Sequence, residues 1–200
     1  MTIRAAIFDI GNVLVLFDYM RAARRLMEKN GLTEAPDRAL IADAVHRYES
    51  GRMDRGLFLD IVRPEFRDSG PAEDFVRIWE DIFEENRPMT SLARRVAGSV
   101  PVFLISNIGD IHLEYLRRTY DVFGIFSDGL FSFETGLMKP DPGVFDLART
   151  RFDVDPSATV YFDDVRENCD AAASRGFVVH CYDATRHRAA EDLVNGKIFS

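Results

Sequence analysis

Four short, continuous apolar runs restrict the architectures open to this chain: "IRAAIFDI", "VPVFLISN", "ATVYFDD" and "GFVVHCYD". None alternates apolar with polar residues, as a strand with one wet face does. A strand that is apolar on both faces must be covered on both, which is the condition of a parallel sheet between layers of helix. "DGLFSF" is a fifth, weaker strand candidate. Between the runs the pattern turns helical, in "TSLARRVAGS", "IHLEYLRRTY", "DPGVFDLARTRF" and "NCDAAASRG". Asp141 before Pro142 supplies a helix cap followed by a first-turn proline. Alternating strands and helices predict an α/β fold with a doubly wound parallel sheet.

One segment breaks the alternation. From Asp18 to Asn86 the sequence reads as helix only: "DYMRAARRLMEKNG", "PDRALIADAVHRYESG", "DRGLFLDIV" ending before Pro64, and "PAEDFVRIWEDIFEEN" ending before Arg87-Pro88. Four helices inserted directly after the first strand predict a small helical cap, residues 17–86, on a core made of residues 1–16 and 87–200. Trp79 is expected to anchor the cap's own core.

Composition narrows the partners. A formal charge of −8 over 200 residues argues against a nucleic-acid footprint. Two cysteines, Cys169 and Cys181, are too few for a disulfide framework and read as packing residues in a reducing, cytoplasmic setting. No apolar run reaches transmembrane length, and the amino-terminal stretch lacks a signal-peptide pattern. His46, His112, His180 and His187 show no metal-ligand spacing and are expected at the surface or at helix ends. The oligomeric state is not readable, and a monomer is the default.

In open α/β sheets ligands bind beyond the carboxyl ends of the strands. Here the first strand runs into Asp9, the second into Ser106-Asn107 and another into Asp163-Asp164, while Lys139 lies in the loop "ETGLMKPD" before a helix. Any one of these could cap a turn; four strand or loop ends of this kind converge on a site.

"FDIGNV", "LISN", "MKPDPGVF" and "YFDDVREN" resemble, in order, the four motifs of the haloacid dehalogenase superfamily, over nearly the whole chain. "FDIGNVLV", "YESGRMD" and "FDDVREN" are similar to a bacterial branch of sugar-phosphate phosphatases that includes α-D-glucose-1-phosphatase. The resemblance implies a Mg²⁺-dependent phosphatase acting on a small phosphorylated metabolite, with Asp9 as nucleophile and an aspartyl-phosphate intermediate. It implies Mg²⁺ ligation by Asp9 and Asp164 through side chains and by Gly11 through its carbonyl. Ser106, Asn107 and neighbouring amides would hold phosphoryl oxygens, with Asn12 as a further candidate. Lys139 would neutralise charge beside Asp9, and Asp163 would orient Lys139 or metal-bound water.

Gly11 departs from the pattern. Most phosphatases of the family carry there a second aspartate that serves as general acid and then base. Three readings stay open: a phosphatase that tolerates the loss, a metal-independent 2-haloacid dehalogenase, and a catalytically weakened fold that binds a ligand or partner. Gly11 is expected to let the backbone bend tightly, and Asn12 either to take an unusual backbone angle or to meet phosphate. His46, Tyr48, Glu49 and Arg52, around a cap turn, are candidates to face the leaving group.

Overall fold

The computed structural model describes residues 2–198. Residues 1, 199 and 200, which the sequence reading assigns to the core, lie outside the described residues. The chain begins with β1 (Ala5–Phe8) and β2 (Val15–Phe17), followed by four helices: α1 (Tyr19–Lys29), α2 (Arg38–Glu49), α3 (Arg55–Glu65) and α4 (Ala72–Trp79). Then come β3 (Phe83–Glu85), α5 (Arg87–Ala97), β4 (Val102–Ser106), α6 (Asp110–Thr119), β5 (Asp128–Phe131) and the one-turn α7 (Ser132–Thr135). The remainder is α8 (Pro142–Arg151), β6 (Thr159–Asp163), α9 (Arg166–Ser174), β7 (Val178–Cys181) and α10 (His187–Lys197).

All five apolar runs are strands of one parallel sheet, in the order β5-β4-β1-β6-β7. From β1 the chain builds outward through β4 and β5 on one side, then returns to the other side for β6 and β7. The order therefore reverses at β1, whose Phe8 pairs with Leu104 of β4 and Phe162 of β6. The two-residue strand period sends Phe8, Leu104 and Phe162 into one apolar layer. It sends Ile7, Ile105 and Tyr161 into the layer on the opposite face. Burial on both faces is what the unbroken apolar runs require.

Residues 18–86 depart from the helices expected from the sequence in two places. Helix α3 continues through Pro64 to Glu65. Pro64 falls in the last turn, so its missing N–H removes one hydrogen bond just before the helix would end anyway. The last predicted helix stops at Trp79, and Phe83–Glu85 is a strand instead. Phe83 lies four residues beyond Trp79 and so extends the helical spacing in sequence. In space it pairs with Phe17, in an antiparallel ribbon with Leu16↔Glu84 and Val15↔Glu85. Strand β2 and helix α10 are further elements that the sequence pattern does not mark.

Helices α1, α2 and α3 start on side-chain caps. Asp18 accepts from the Met20 amide, Asp37 from Ala39 and Leu40, and Asp54 from Leu57. Trp79 is buried as expected, stacked on Phe75 and on His112 of α6. His112 is not a surface residue: it is 2% exposed and packs between the helical segment and the sheet, against Tyr19, Trp79 and Phe83.

Candidate active site

Asp9 leaves the carboxyl end of the central strand with its amide donating to the Phe162 carbonyl at 2.9 Å. It is 6% exposed. Its Oδ1 accepts the Ile10 amide at 2.7 Å and pairs with Lys139 Nζ at 2.7 Å. Asp9 Oδ2 carries no hydrogen bond among the described residues. The same Nζ lies 2.7 Å from Asp163 Oδ2, so one buried ammonium bridges carboxylates from the ends of β1 and β6.

Each partner is held by others. Asn107 accepts from the Lys139 amide and donates to the Lys139 carbonyl, both at 2.9 Å, which fixes the lysine's backbone to the end of β4. Asp163 is fully buried and accepts from Lys139, the Tyr161 hydroxyl, the Val165 amide and Asn168 Nδ2. Asp164 is half-buried and takes Asn12 Nδ2 at 3.0 Å. Ser106 is buried at the end of β4, beside Asp9. Asp9, Asn12, Ser106, Asn107, Lys139 and Asp164, with Gly11, Phe17, Val165 and Asn168, surround a cavity of about 180 Å³.

The tight backbone is at Asn12 rather than Gly11. Asn12 has φ +53°, whereas Gly11 is not among the residues of positive φ. Asparagine enters that region more readily than most residues, and its side chain donates to Asp164. A Cβ at Gly11 would lie 2.9 Å from Phe17 Cε1, so a side chain there requires the exposed Phe17 ring to shift.

Burial governs the electrostatics. Removal from water lifts Asp9 to about 6; Lys139 opposes this rise and Asp163 adds to it. Burial also works against the charge on Lys139, but the two flanking carboxylates win and hold it above its ordinary range. Asp164 is raised by partial burial. One oxygen each from Asp9, Asp163 and Asp164 can be chosen within 4.8 Å of one another, a group that could hold a metal ion. Asp163 is already occupied by donors, so the open carboxylates are Asp9 and Asp164.

Every residue singled out at strand ends therefore meets in one place. Tyr161 and Asn168, which fix Asp163, carried no sequence signal beyond their nearness to it. Of the four residues around the cap turn, Glu49 reaches a second cavity that also touches Gly11 and Ser106, and His46 lines an apolar chamber farther out. Tyr48 is engaged with Asp110 and the Ile111 amide, and Arg52 rests on His46 and Ser50.

Residues 3–176 match the family described as haloacid dehalogenase-like hydrolase. A sesquiterpene phosphatase of Aspergillus oryzae is 26% identical over 190 residues, covering 92% of each chain. Among solved structures, a HAD family enzyme of Bacteroides thetaiotaomicron superposes with a TM-score of 0.83 at 21% identity, over 96% of this chain and 99% of that one. The same enzyme in complex with magnesium and inorganic phosphate gives 0.76 at 20% identity, over 91% and 95%.

Proposed function

The chain belongs to the haloacid dehalogenase-like hydrolases, and from that premise we propose that it is a Mg²⁺-dependent phosphatase working through an aspartyl-phosphate on Asp9. The observation that carries this reading is the grouping of Asp9, Asp163 and Asp164 around Lys139 at the end of the central strand. A dehalogenase needs one carboxylate nucleophile and no second acid for a metal. Here Asp164 stands open beside Asp9.

The residues fit Mg²⁺. Asp9 Oδ2 carries no hydrogen bond among the described residues, Asp164 is half-exposed, and hard carboxylate oxygens with room for water are the donor set this ion takes. Asp9, Asp164 and the Gly11 carbonyl would hold it, and when bound it supplies neutralising charge for phosphoryl oxygens. The sesquiterpene phosphatase relative and the magnesium and phosphate complex of the Bacteroides enzyme support the same reading.

The chain's own groups then divide the work. Asp9 attacks phosphorus and forms an acyl phosphate, which water later cleaves. Lys139 keeps Asp9 ionised despite its burial and offsets charge on the phosphoryl group. Ser106 and the adjoining backbone lie beside Asp9, where phosphoryl oxygens would sit. Asn107 and Asp163 hold Lys139 in place from two strands.

The same reading assigns chemistry to residues 1–16 and 87–200 and leaving-group selection to residues 17–86, acting in the cytoplasm on a small phosphorylated metabolite. A sugar phosphate is the first substrate to test, given the resemblance of "FDIGNVLV" and "FDDVREN" to sugar-phosphate phosphatases. A second reading, a phosphomonoester of an apolar alcohol, is favoured by a chamber of about 370 Å³ between α1 and α2, lined by Ala23, Met27, Ile41 and Val45. Tyr19 and Glu49 line both this chamber and the cavity at Gly11. The test is phosphate release from sugar, aryl and prenyl monophosphates, with Mg²⁺ and after chelation, beside a haloacid control. The expected result is Mg²⁺-dependent release that Asp9→Asn abolishes. Full activity after exhaustive chelation, or in Asp9→Asn, would sink the reading.

A further inference from the structure

Resting on the phosphatase reading, we propose that Glu49, at the end of α2, is the proton donor to the leaving oxygen and the acceptor from the attacking water, in place of a side chain at residue 11.

The argument starts from the space around Gly11. A carboxylate at that position is absent, and Phe17 stands where its side chain would begin. Next to the cavity at Asp9 lies a second one of about 140 Å³, bounded by Gly11 and Ser106 on the sheet side and by Phe17, Phe83 and His112 elsewhere. Both cavities share Gly11, Phe17, Ser106 and Asn107, so a leaving group departing from phosphorus on that side enters the second. Among its lining residues Glu49 is the only carboxyl group.

Glu49 is fastened to the catalytic end of the sheet. Ser132 donates its hydroxyl to the Glu49 carbonyl and accepts the Ile108 amide at 3.0 Å, so Glu49 is tied to the loop that follows Ser106. The Tyr19 hydroxyl donates to Glu49 Oε1 at 2.9 Å and orients the carboxyl. The other oxygen remains for substrate.

Its protonation suits the role. Burial lifts Glu49 to about 7, with the Tyr19 hydrogen bond pulling the other way. An acid of this strength is populated in both forms near neutrality, the condition for acting first as acid and then as base. The titratable groups facing it are Tyr19 from α1, held un-ionised by burial, and His112 from α6, held neutral by burial, with His46 farther along α2.

The steps balance. An Asp9 oxygen bonds to phosphorus as the phosphorus–oxygen bond to the leaving group breaks, and that oxygen takes the Glu49 proton. Alcohol, aspartyl-phosphate and a Glu49 carboxylate result. Water then attacks phosphorus, its proton goes to Glu49, and the Asp9–phosphorus linkage breaks. Inorganic phosphate, the Asp9 carboxylate and neutral Glu49 are regenerated.

The experiment compares wild type and Glu49→Gln across small aryl and alkyl phosphates of graded leaving-group acidity, with Mg²⁺, over a pH range. For wild type a shallow dependence on leaving-group acidity is expected, with an alkaline limb near pH 7. In Glu49→Gln, kcat/KM for p-nitrophenyl phosphate should survive, because it reports only the steps through departure of the leaving group, and this also reports an intact fold; kcat should fall across the whole series as the aspartyl-phosphate loses its base. Poor leaving groups should slow by about 10²–10⁴-fold, and the limb should vanish. An active wild type whose leaving-group dependence and pH limb are unchanged in Glu49→Gln overturns the role of Glu49 alone. So does a uniform loss of kcat/KM across the series. A wild type inactive on every phosphate overturns the phosphatase reading, and this inference with it.

Discussion

Lys139 is the residue on which the site's electrostatics turn. Its ammonium is shared by two buried carboxylates at 2.7 Å each. Removing one partner of such a group leaves charge buried without compensation. Lys139→Ala should therefore lower kcat/KM by about 10²–10³-fold with Mg²⁺ in excess, in line with the loss of one electrostatic donor elsewhere. Steady-state kinetics check this, and unchanged values would remove Lys139 from the chemistry. This much of the site is legible in the sequence because Asp9, Ser106, Asp163 and Asp164 sit at or just past strand ends, and Lys139 stands in a loop before a helix. A strand boundary fixes a side chain's position in three dimensions almost as well as coordinates do. Glu49 and Phe17 are different. Their nearness to Gly11 depends on how a helix and a short ribbon return to the sheet, and no local spacing encodes that. For Asn12 the sequence allows two roles. Its positive φ and its bond to Asp164 show the backbone role, with the side chain placed against an acid.

At the scale of elements, the return of the chain into α5 depends on one side chain. Asn86 is 7% exposed; its Nδ2 donates to the Val13 carbonyl at 2.7 Å and to the Tyr182 hydroxyl at 3.1 Å, and its amide donates to Leu14. It therefore ties the start of α5 to the loop after Asp9 and to the residue following β7. Asn86→Ala would leave the Val13 carbonyl buried without that donor, at a cost of about 1–3 kcal/mol. Urea unfolding should show a lowered midpoint with an unchanged slope; an unaltered midpoint would mean that water replaces the amide. The elements the sequence hid share a physical cause. Strand β3 is three residues long, carries two glutamates, and pairs only with β2. So short a strand is specified by its partner, not by its own apolar pattern. Strands β1, β4 and β6 are the opposite case, since burial on both faces writes itself into consecutive residues.

For the molecule as a whole, the contact between helices and sheet centres on His112. It lies under Tyr19, Trp79 and Phe83, and its ring bonds to the Trp79 carbonyl at 3.2 Å. Burial drives it down to about 4 from an ordinary 6.5, against the weaker pull of that bond. The folded chain thus leaves His112 neutral where the unfolded chain protonates it. Stability from this group is complete above pH 6.5 and declines toward pH 4, by at most about 1.4 kcal/mol per unit. Buried acids of raised pKa, such as Glu49, act in the opposite direction, so the useful quantity is a difference. Relative to His112→Phe, the wild type should lose stability between pH 7 and pH 5 in urea titrations; parallel behaviour would refute the linkage. The ribbon of β2 and β3 has a separate consequence. Topologically it is a β-hairpin whose turn has been replaced by four helices. Its two rails stay at strand spacing whatever the length of chain between them, and closing a longer loop costs only about 0.6 kcal/mol per doubling. Evolution can lengthen, shorten or exchange that loop without disturbing the register of β1, β4 and β6. On the proposed phosphatase reading, a lineage built on this plan can therefore change the alcohol it accepts while inheriting the phosphate chemistry intact.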